Sequence, residues 1–509
     1  MAHLFLGIDV GTTGTKAAVV DETGKKVGSG YARCEVTSPS PGRYFQDATE
    51  WKKAVIDSVG MATQGVDGSN IRALAISAQG GTLVPVDDKN QPLLPARSWL
   101  DRRAVAEATA LRENFGARGF YERTGWPIAP NNTCSQLLAL ESEESQTFER
   151  AAYFLETASY LNFWLCGHPV IDSNIAGITQ LMDVKAMKWD SQILDFVGVD
   201  ATRLPDMRQP GEPIGTLSYA AAADLDLHAT TTVVAGGHDQ YCAALGSGVV
   251  ANGDLLLSTG SAWVLLGIGA DVLHDEDSGF SFGHHLIPDL WGHFGEVENG
   301  GVCVEWIRRL WDVNGSSGLN LEDLGPILNE TSPGSEGVLF FPHFEGTNPF
   351  DHNDTSHGAF LGLRLGHERR HLVRAVMEGV AIQTALVLNT YRGMTASVGV
   401  PTVVGGATKN DEWMRLVASV FGSEVRVSGD PDAACFGAAA LAASGSGVFP
   451  SVASAAEKIV APWKIVSPES AEMAIYAELS ASYELASKKL ATLYADVEFA
   501  SRKVANDKR

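Results

Sequence analysis

The chain has 509 residues, 45% hydrophobic and 19% charged, enough for two or three domains with full cores. A formal net charge of -23 excludes a nucleic-acid partner, which would need a basic footprint against phosphates; a local pocket of opposite sign still admits an anionic substrate. The six cysteines are scattered singly, the start at Leu4-Phe5-Leu6 has no basic flank, and no membrane-length apolar run is evident, so a cytoplasmic protein with reduced thiols is expected.

In chain order, the opening predicts a β-hairpin: strand 4–9, a tight turn through Gly11, Thr12, Thr13 and Gly14, and strand 15–21. Glu22-Thr23-Gly24 turns it into a third strand, and "SPSPG" at 38–42 reads as a loop. Apolar spacing over 47–63 is helical and leads into a buried strand at 71–77, an α/β pattern. Residues 103–195 are mostly helical, with "LETASYLNFWLCG" a buried helix ended by Gly167. Within 233–248 a strand closes at Gly236-Gly237, and His238, Asp239 and Gln240 open a helix. Residues 253–271 echo the opening: apolar strand, Thr259-Gly260-Ser261 turn, apolar strand. This weak internal repeat predicts two related domains, 1–248 and 249–509, each turning one hairpin tip toward a shared cleft. A long helix at 371–394, a strand with a Gly405-Gly406 turn and helix, a small-residue helix within 432–449 and a terminal helix at 470–498 complete the pattern. The basic end, Ser501 to Arg509, is expected to fray.

Chemistry gathers at the strand ends. Asp9 at a strand's carboxyl end, followed by a Gly/Thr turn, suits a hydrated Mg²⁺ and nucleotide phosphates: backbone amides form an anion nest, Thr12 and Thr13 add donors, and Lys16 neutralises charge. A Walker A loop or a dinucleotide fingerprint would open a helix, whereas apolar strand residues follow Lys16. Asp239 is either a base for a substrate hydroxyl or a helix N-cap; His238 is a rival base or a structural histidine. Thr259 and Gly260 would meet the phosphates from the other side, and Gly405-Gly406 allows close approach of a nucleoside. Asn410 suits a nucleotide hydrogen bond or an N-cap equally. Gln79, Trp99 and Asp101 supply an amide, a ring and a carboxylate for a polyhydroxylated ligand, although Trp99 also suits plain core and Arg102-Arg103 a solvated face.

Together "GIDVGTTGTK", "RYFQDATEW", "ISAQG", "SWLDRR", "VIDSNIAG", "GGHDQ", "STGS" and "GGATKN" resemble the FGGY family of carbohydrate kinases. The most specific piece is "GAFLGLRLGHERRHLVRAVMEG" at 358–379, which fits the family's second signature at Gly358, Gly362, Leu363, His371, Leu372, Ala375 and Glu378. The resemblance implies an α/β fold of two actin-like ATPase (ribonuclease H-like) domains around a nucleotide/sugar cleft. It implies ATP and Mg²⁺ as cofactors and a small sugar as partner, with no membrane and a homodimer left open.

Carried over by motif position, Asp239 would be the general base and Asp9 the Mg²⁺ residue, while Gly11, Thr12, Thr13, Lys16, Thr259, Gly260, Gly405, Gly406 and Asn410 would hold the nucleotide. Gln79, Gly80, Gly81, Trp99, Asp101, Asp239 and Gln240 fall at sugar-side positions. Within the family the pattern is most similar to the xylulokinases, which phosphorylate D-xylulose at its terminal hydroxyl. Those carry Met-His-Gly where this chain has Gly80-Gly81-Thr82, and the Arg-Glu of glycerol kinases is absent. Gln136 and Ala139 depart from the family's first signature, read here as drift on a surface helix. The rival class on this scaffold is a nucleotide-switched binding protein; a silent sugar sensor is disfavoured by the intact Asp9, Asp239 and phosphate turns.

Overall fold

The computed structural model describes residues 3–273, 278–297, 299–310, 324–344 and 356–506. Apolar residues at the opening form β1 (Leu4–Val10) and β2 (Gly14–Asp21), paired antiparallel, and β3 (Lys26–Arg33) continues the meander. β4 (Ile71–Ala78) lies parallel to β1, and β6 (Thr232–His238) lies parallel to β4 with β5 (Pro213–Thr216) at the edge. The first sheet therefore runs β5-β6-β4-β1-β2-β3.

The second sheet is built from β7 (Leu255–Thr259), β8 (Trp263–Gly269), β9 (Ser281–His284), β10 (Trp291–Val297), β11 (Pro401–Gly405), β12 (Val425–Ser428) and β13 (Trp463–Val466). Its order is β9-β10-β8-β7-β11-β12-β13, with β7, β11 and β12 parallel. A hairpin beside a parallel strand thus occurs twice, β2-β1-β4 and β8-β7-β11, which is the structural form of the weak sequence echo.

Helices cover both sheets. On the outer face of the first lie α1 (Ala48–Ala62), whose N-cap Asp47 accepts from the Thr49 N–H at 2.9 Å, and α2 (Thr157–Cys166), ended by left-handed Gly167. Between the sheets sit α3 (Asp239–Gly246) and, much later in the chain, α6 (Ala433–Gly445). One buried cluster joins Phe5, Val20 and Ala75 of the first sheet to Leu256, Leu266 and Val404 of the second through these two helices. Small residues let them touch: a Cβ on Gly437 would lie 1.9 Å from the Cys242 carbonyl oxygen, and one on Gly246 would lie 2.0 Å from that of Ala433.

Beyond the second sheet pack α4 (Arg369–Met394) and α5 (Asp411–Phe421). Among the described residues α4 alone is long and apolar enough to cross a membrane, and 83% of its apolar window is buried in this core. Its Arg374 and Glu378 are buried too, bonded at 2.7 Å and tied to Tyr476 of the terminal helix.

Two expectations change. "SPSPG" is no plain loop: Thr37–Ser40 and Arg43–Gln46 pair as a small hairpin that carries Tyr44 and Gln46 toward the site. The terminal helix runs Ser470–Asn506 instead of stopping at 498, and of the basic end expected to fray, residues 507–509 lie outside the described residues.

Candidate active site

The three parallel strands of the first sheet end at one edge. Asp9 of β1 stands opposite Ser77 of β4, and His238 at the tip of β6 stands opposite Ala78. Gln79 and Asp239 follow immediately along the chain. Carboxyl ends of parallel strands are where α/β sheets place ligands, because side chains there leave the sheet without disturbing its ladder.

Asp9 and Asp239 are close enough to repel. Burial, then the charge of Asp239, pushes the Asp9 carboxyl up to about 6, against opposing pulls from Lys16 and the 2.8 Å hydrogen bond donated by Ser77 Oγ. Burial pushes Asp239 up to about 7, offset in part by the backbone and side-chain N–H groups of Gln240. Asp239 Oδ1 has no hydrogen-bond partner. A buried carboxylate raised by its burial and by a neighbouring carboxylate is a charge that a divalent cation would relieve, so Asp9 fits the Mg²⁺ expected there.

Gly11 closes the turn by donating to the Gly14 carbonyl at 3.0 Å, Thr12 is half-buried and Thr13 exposed. The turn is wired to the rest of this edge: Trp99 Nε1 donates to Thr12 Oγ1 at 2.9 Å, and Gln46 Nε2 donates to the Thr12 carbonyl at 2.8 Å. That second bond fixes the Gln46 amide, whose Oε1 accepts from Gln79 Nε2 at 2.7 Å, and so leaves Gln79 Oε1 as a buried acceptor without a partner. Gln240 Oε1 is likewise unpartnered. Gly80 and Gly81 form the next turn, held beneath by buried Glu156, which accepts from the Thr82 N–H at 2.7 Å and from Thr133 Oγ1 at 2.6 Å. Burial pushes Glu156 up to about 7.

In the second sheet Thr259 and Gly405 are neighbours across β7 and β11, so Thr259-Gly260 and Gly405-Gly406 form one surface. Gly405 sits at φ +98° with a would-be Cβ 2.8 Å from the Thr259 carbonyl oxygen, a place only glycine takes without strain.

Several expected roles are corrected. Asp101 offers no free carboxylate: it is fully buried and accepts from Tyr44 N at 2.8 Å and from Arg103 Nε and Nη2 at 2.8 and 2.7 Å. Arg103 is therefore an internal partner and not a solvated face, and both residues shape the loop that carries Trp99. Lys16 is turned to the Pro431 carbonyl at 2.8 Å and to Asp432 at 3.7 Å; it clasps the second half of the chain, acting on Asp9 only through its charge.

The Thr259 hydroxyl is buried, donating to the Val404 carbonyl at 2.6 Å and accepting from Ala407 N at 3.3 Å, so it builds the turn. Asn410 takes the N-cap alternative that the sequence held equal to a nucleotide contact: it opens α5, accepting from Trp413 N at 2.9 Å. Gln136 and Ala139 do not lie on a surface: Gln136 is fully buried and donates to the carbonyls of Asp101 and Pro130 at 2.9 and 2.8 Å.

Sequence reasoning missed Gln46, Glu156 and Asn174. Gln46 sat inside the matched "RYFQDATEW", but its two bonds span 33 and 34 residues of chain and leave no local trace.

Two family models cover most of this chain: the N-terminal domain of the FGGY carbohydrate kinases matches residues 4–246, and the C-terminal domain matches 257–446. The chain belongs to the FGGY family of carbohydrate kinases. This FGGY kinase is 27% identical to the gluconokinase of Bacillus subtilis (strain 168) over 448 residues, 87% of each chain. It is equally 27% identical to the xylulose kinase of the same organism over 457 residues, 89% of this chain and 91% of that one. Among solved structures, gluconate kinase from Lactobacillus acidophilus superposes with a TM-score of 0.89 at 23% identity, covering 98% of this chain and all of that one. Ligand-bound xylulose kinase from the same organism gives 0.89 at 23%, covering 97% and 100%. The FGGY kinase therefore has the two-domain actin-like ATPase fold.

Proposed function

We propose that the protein transfers the γ-phosphate of ATP to the terminal hydroxyl of a ketopentose, converting D-xylulose to D-xylulose 5-phosphate. The observation that carries this reading is Asp239: the first residue of α3, its Oδ1 unpartnered, its carboxyl held up at about 7 beside Asp9. A base of that pKa takes the acceptor proton near neutral pH, late in a transfer governed by positioning and charge. Asp9 would hold Mg²⁺, which supplies neutralising charge to the phosphates when bound. The Gly11–Thr13 turn would meet the phosphates from one side, and the Thr259-Gly260 and Gly405-Gly406 surface would meet the nucleotide from the other. The domains on either side, taken as 1–248 and 249–509, would close to exclude water.

The relatives divide between xylulose and gluconate. The orphaned atoms favour a neutral sugar. Gln79 Oε1 and Gln240 Oε1 are both acceptors, suited to hydroxyl donors and unsuited to a carboxylate. The test is coupled ADP release over D-xylulose, L-xylulose, D-ribulose, L-ribulose, gluconate, glycerol and erythritol. D-xylulose should give the highest kcat/KM. A higher value for gluconate overturns the specificity, and ATP turnover with no phosphorylated acceptor overturns the kinase reading in favour of a nucleotide-switched binding protein.

A further inference from the structure

His238 stands between the Gly80 turn and Asp239, and its surroundings give it a job that a structural histidine does not need. Its backbone is pinned from both halves of the chain: His238 N–H donates to Asn174 Oδ1 at 3.0 Å, and Asn174 Nδ2 donates to the His284 carbonyl at 2.6 Å. The ring is buried, with the rings of Tyr241 and Phe294 each 6.1 Å away by centroid. Across its other edge lies Gly80, where a Cβ would come within 3.1 Å of His238 Cδ2. A side chain at position 80 would press on the imidazole from one side and on Ile178, whose Cδ1 would also lie 3.1 Å away, from the other.

The nitrogens of this ring are poorly matched by the protein. Nδ1 is buried without a partner, and Nε2 lies 3.3 Å from Asp239 Oδ1, which is itself unpartnered. An imidazole carries a hydrogen on at least one of its two nitrogens. Beside a carboxylate that hydrogen belongs on Nε2. A donor and an acceptor thus stand side by side next to the Gly80 turn, at a spacing close to that of the two oxygens of a gauche 1,2-diol, which lie about one hydrogen-bond length apart.

Building on the kinase reading above, we propose that His238 determines specificity as half of a two-point reader for a vicinal diol: Asp239 Oδ1 accepts from the hydroxyl to be phosphorylated, and His238 Nε2–H donates to the oxygen on the neighbouring carbon. Gly80 is the space this reader requires. The acceptor class is then a polyol or sugar whose reacting hydroxyl has an oxygen on the adjacent carbon.

The experiment compares the best acceptor of the screen with its analogue deoxygenated at that adjacent carbon, in the wild-type protein and in His238→Ala, His238→Gln and Gly80→Ala. The wild type should prefer the diol by about 10- to 100-fold in kcat/KM. In His238→Ala the diol should lose most of that factor while the deoxy analogue stays within about threefold of its wild-type value, and His238→Gln, which returns an N–H at similar reach, should recover part of the preference. Gly80→Ala leaves the histidine in the sequence and should blunt the preference by displacing its ring, which covers the case in which His238→Ala fails to fold. Equal losses on both acceptors, or a wild-type preference that survives both His238→Ala and Gly80→Ala, would overturn the assignment. A protein that phosphorylates none of the acceptors fails at the kinase reading itself; one that phosphorylates the diol with an unaltered preference in the variants fails here alone.

Discussion

Replacing Asp239 by asparagine removes a charge that burial makes unwelcome. A free aspartate titrates at about 3.9, whereas Asp239 is held up at about 7. Below pH 4 the carboxyl is protonated in folded and unfolded chains alike and costs nothing. Between pH 4 and 7 the unfolded chain releases a proton that the folded chain retains, so stability falls as pH rises, and above 7 the folded chain carries the full penalty. The displacement converts to about 4 kcal/mol. The side chain remains 26% exposed, and solvent reaching it reduces the penalty to about 2 kcal/mol.

Asp239→Asn should therefore be more stable than the wild type by about 2 kcal/mol at pH 8 and by almost nothing at pH 4. With an unfolding entropy of about 2.1 cal/mol/K per residue, a chain of 509 residues melting as one unit gains about 2 °C. The same substitution should lower kcat by about 10²–10⁴. Thermal melts at the two pH values, paired with ADP release, read both effects. Equal stabilisation at both pH values, or destabilisation at pH 8, refutes the buried-charge reasoning, and near-normal turnover refutes the base.

Wild-type kcat/KM should fall with acidity below pH about 7, as Asp239 takes up its proton, and a rate profile flat from pH 5.5 to 8 would contradict this. Trp99→Phe deletes the 2.9 Å bond to Thr12 and should reduce kcat/KM about 5- to 10-fold with little change in Tm, measured by varying ATP and acceptor in turn. Glu378→Ala strands the buried Arg374 guanidinium and should destabilise by about 3–5 kcal/mol in urea titrations. Gly437→Ala drives a methyl group into the Cys242 carbonyl and should destabilise by about 1–3 kcal/mol, while Gly60→Ala, an exposed helical position with open space around it, should stabilise by about 0.5–1 kcal/mol.

What the sequence revealed follows from the range of the interactions involved. Strands 4–21, 71–77 and 253–271 were legible because alternation and turn chemistry are local. The Gly405-Gly406 turn was legible because glycine marks a close approach. Individual side-chain roles were less so. Asp101 and Lys16 have the chemistry of ligand-binding residues, yet Asp101 meets Tyr44 and Arg103 while Lys16 meets Pro431, and the partners of Lys16 lie more than 400 residues away. Gln136 looked like surface drift because helical spacing does not say which loop lies above it; Asp101 and Pro130 do.

The helix pair between the sheets has a consequence for biosynthesis. As the polypeptide leaves the ribosome, the first sheet is complete by His238, but α6, which covers its inner face, ends at Gly445. For the time it takes to translate the intervening stretch, the face that carries Phe5, Val20 and Ala75 has only α3 of its two covering helices. A nascent chain of this design stays exposed to misassociation until nearly all of it has been made, so truncated products from stalled or nicked messages should precipitate and not survive as half-enzymes.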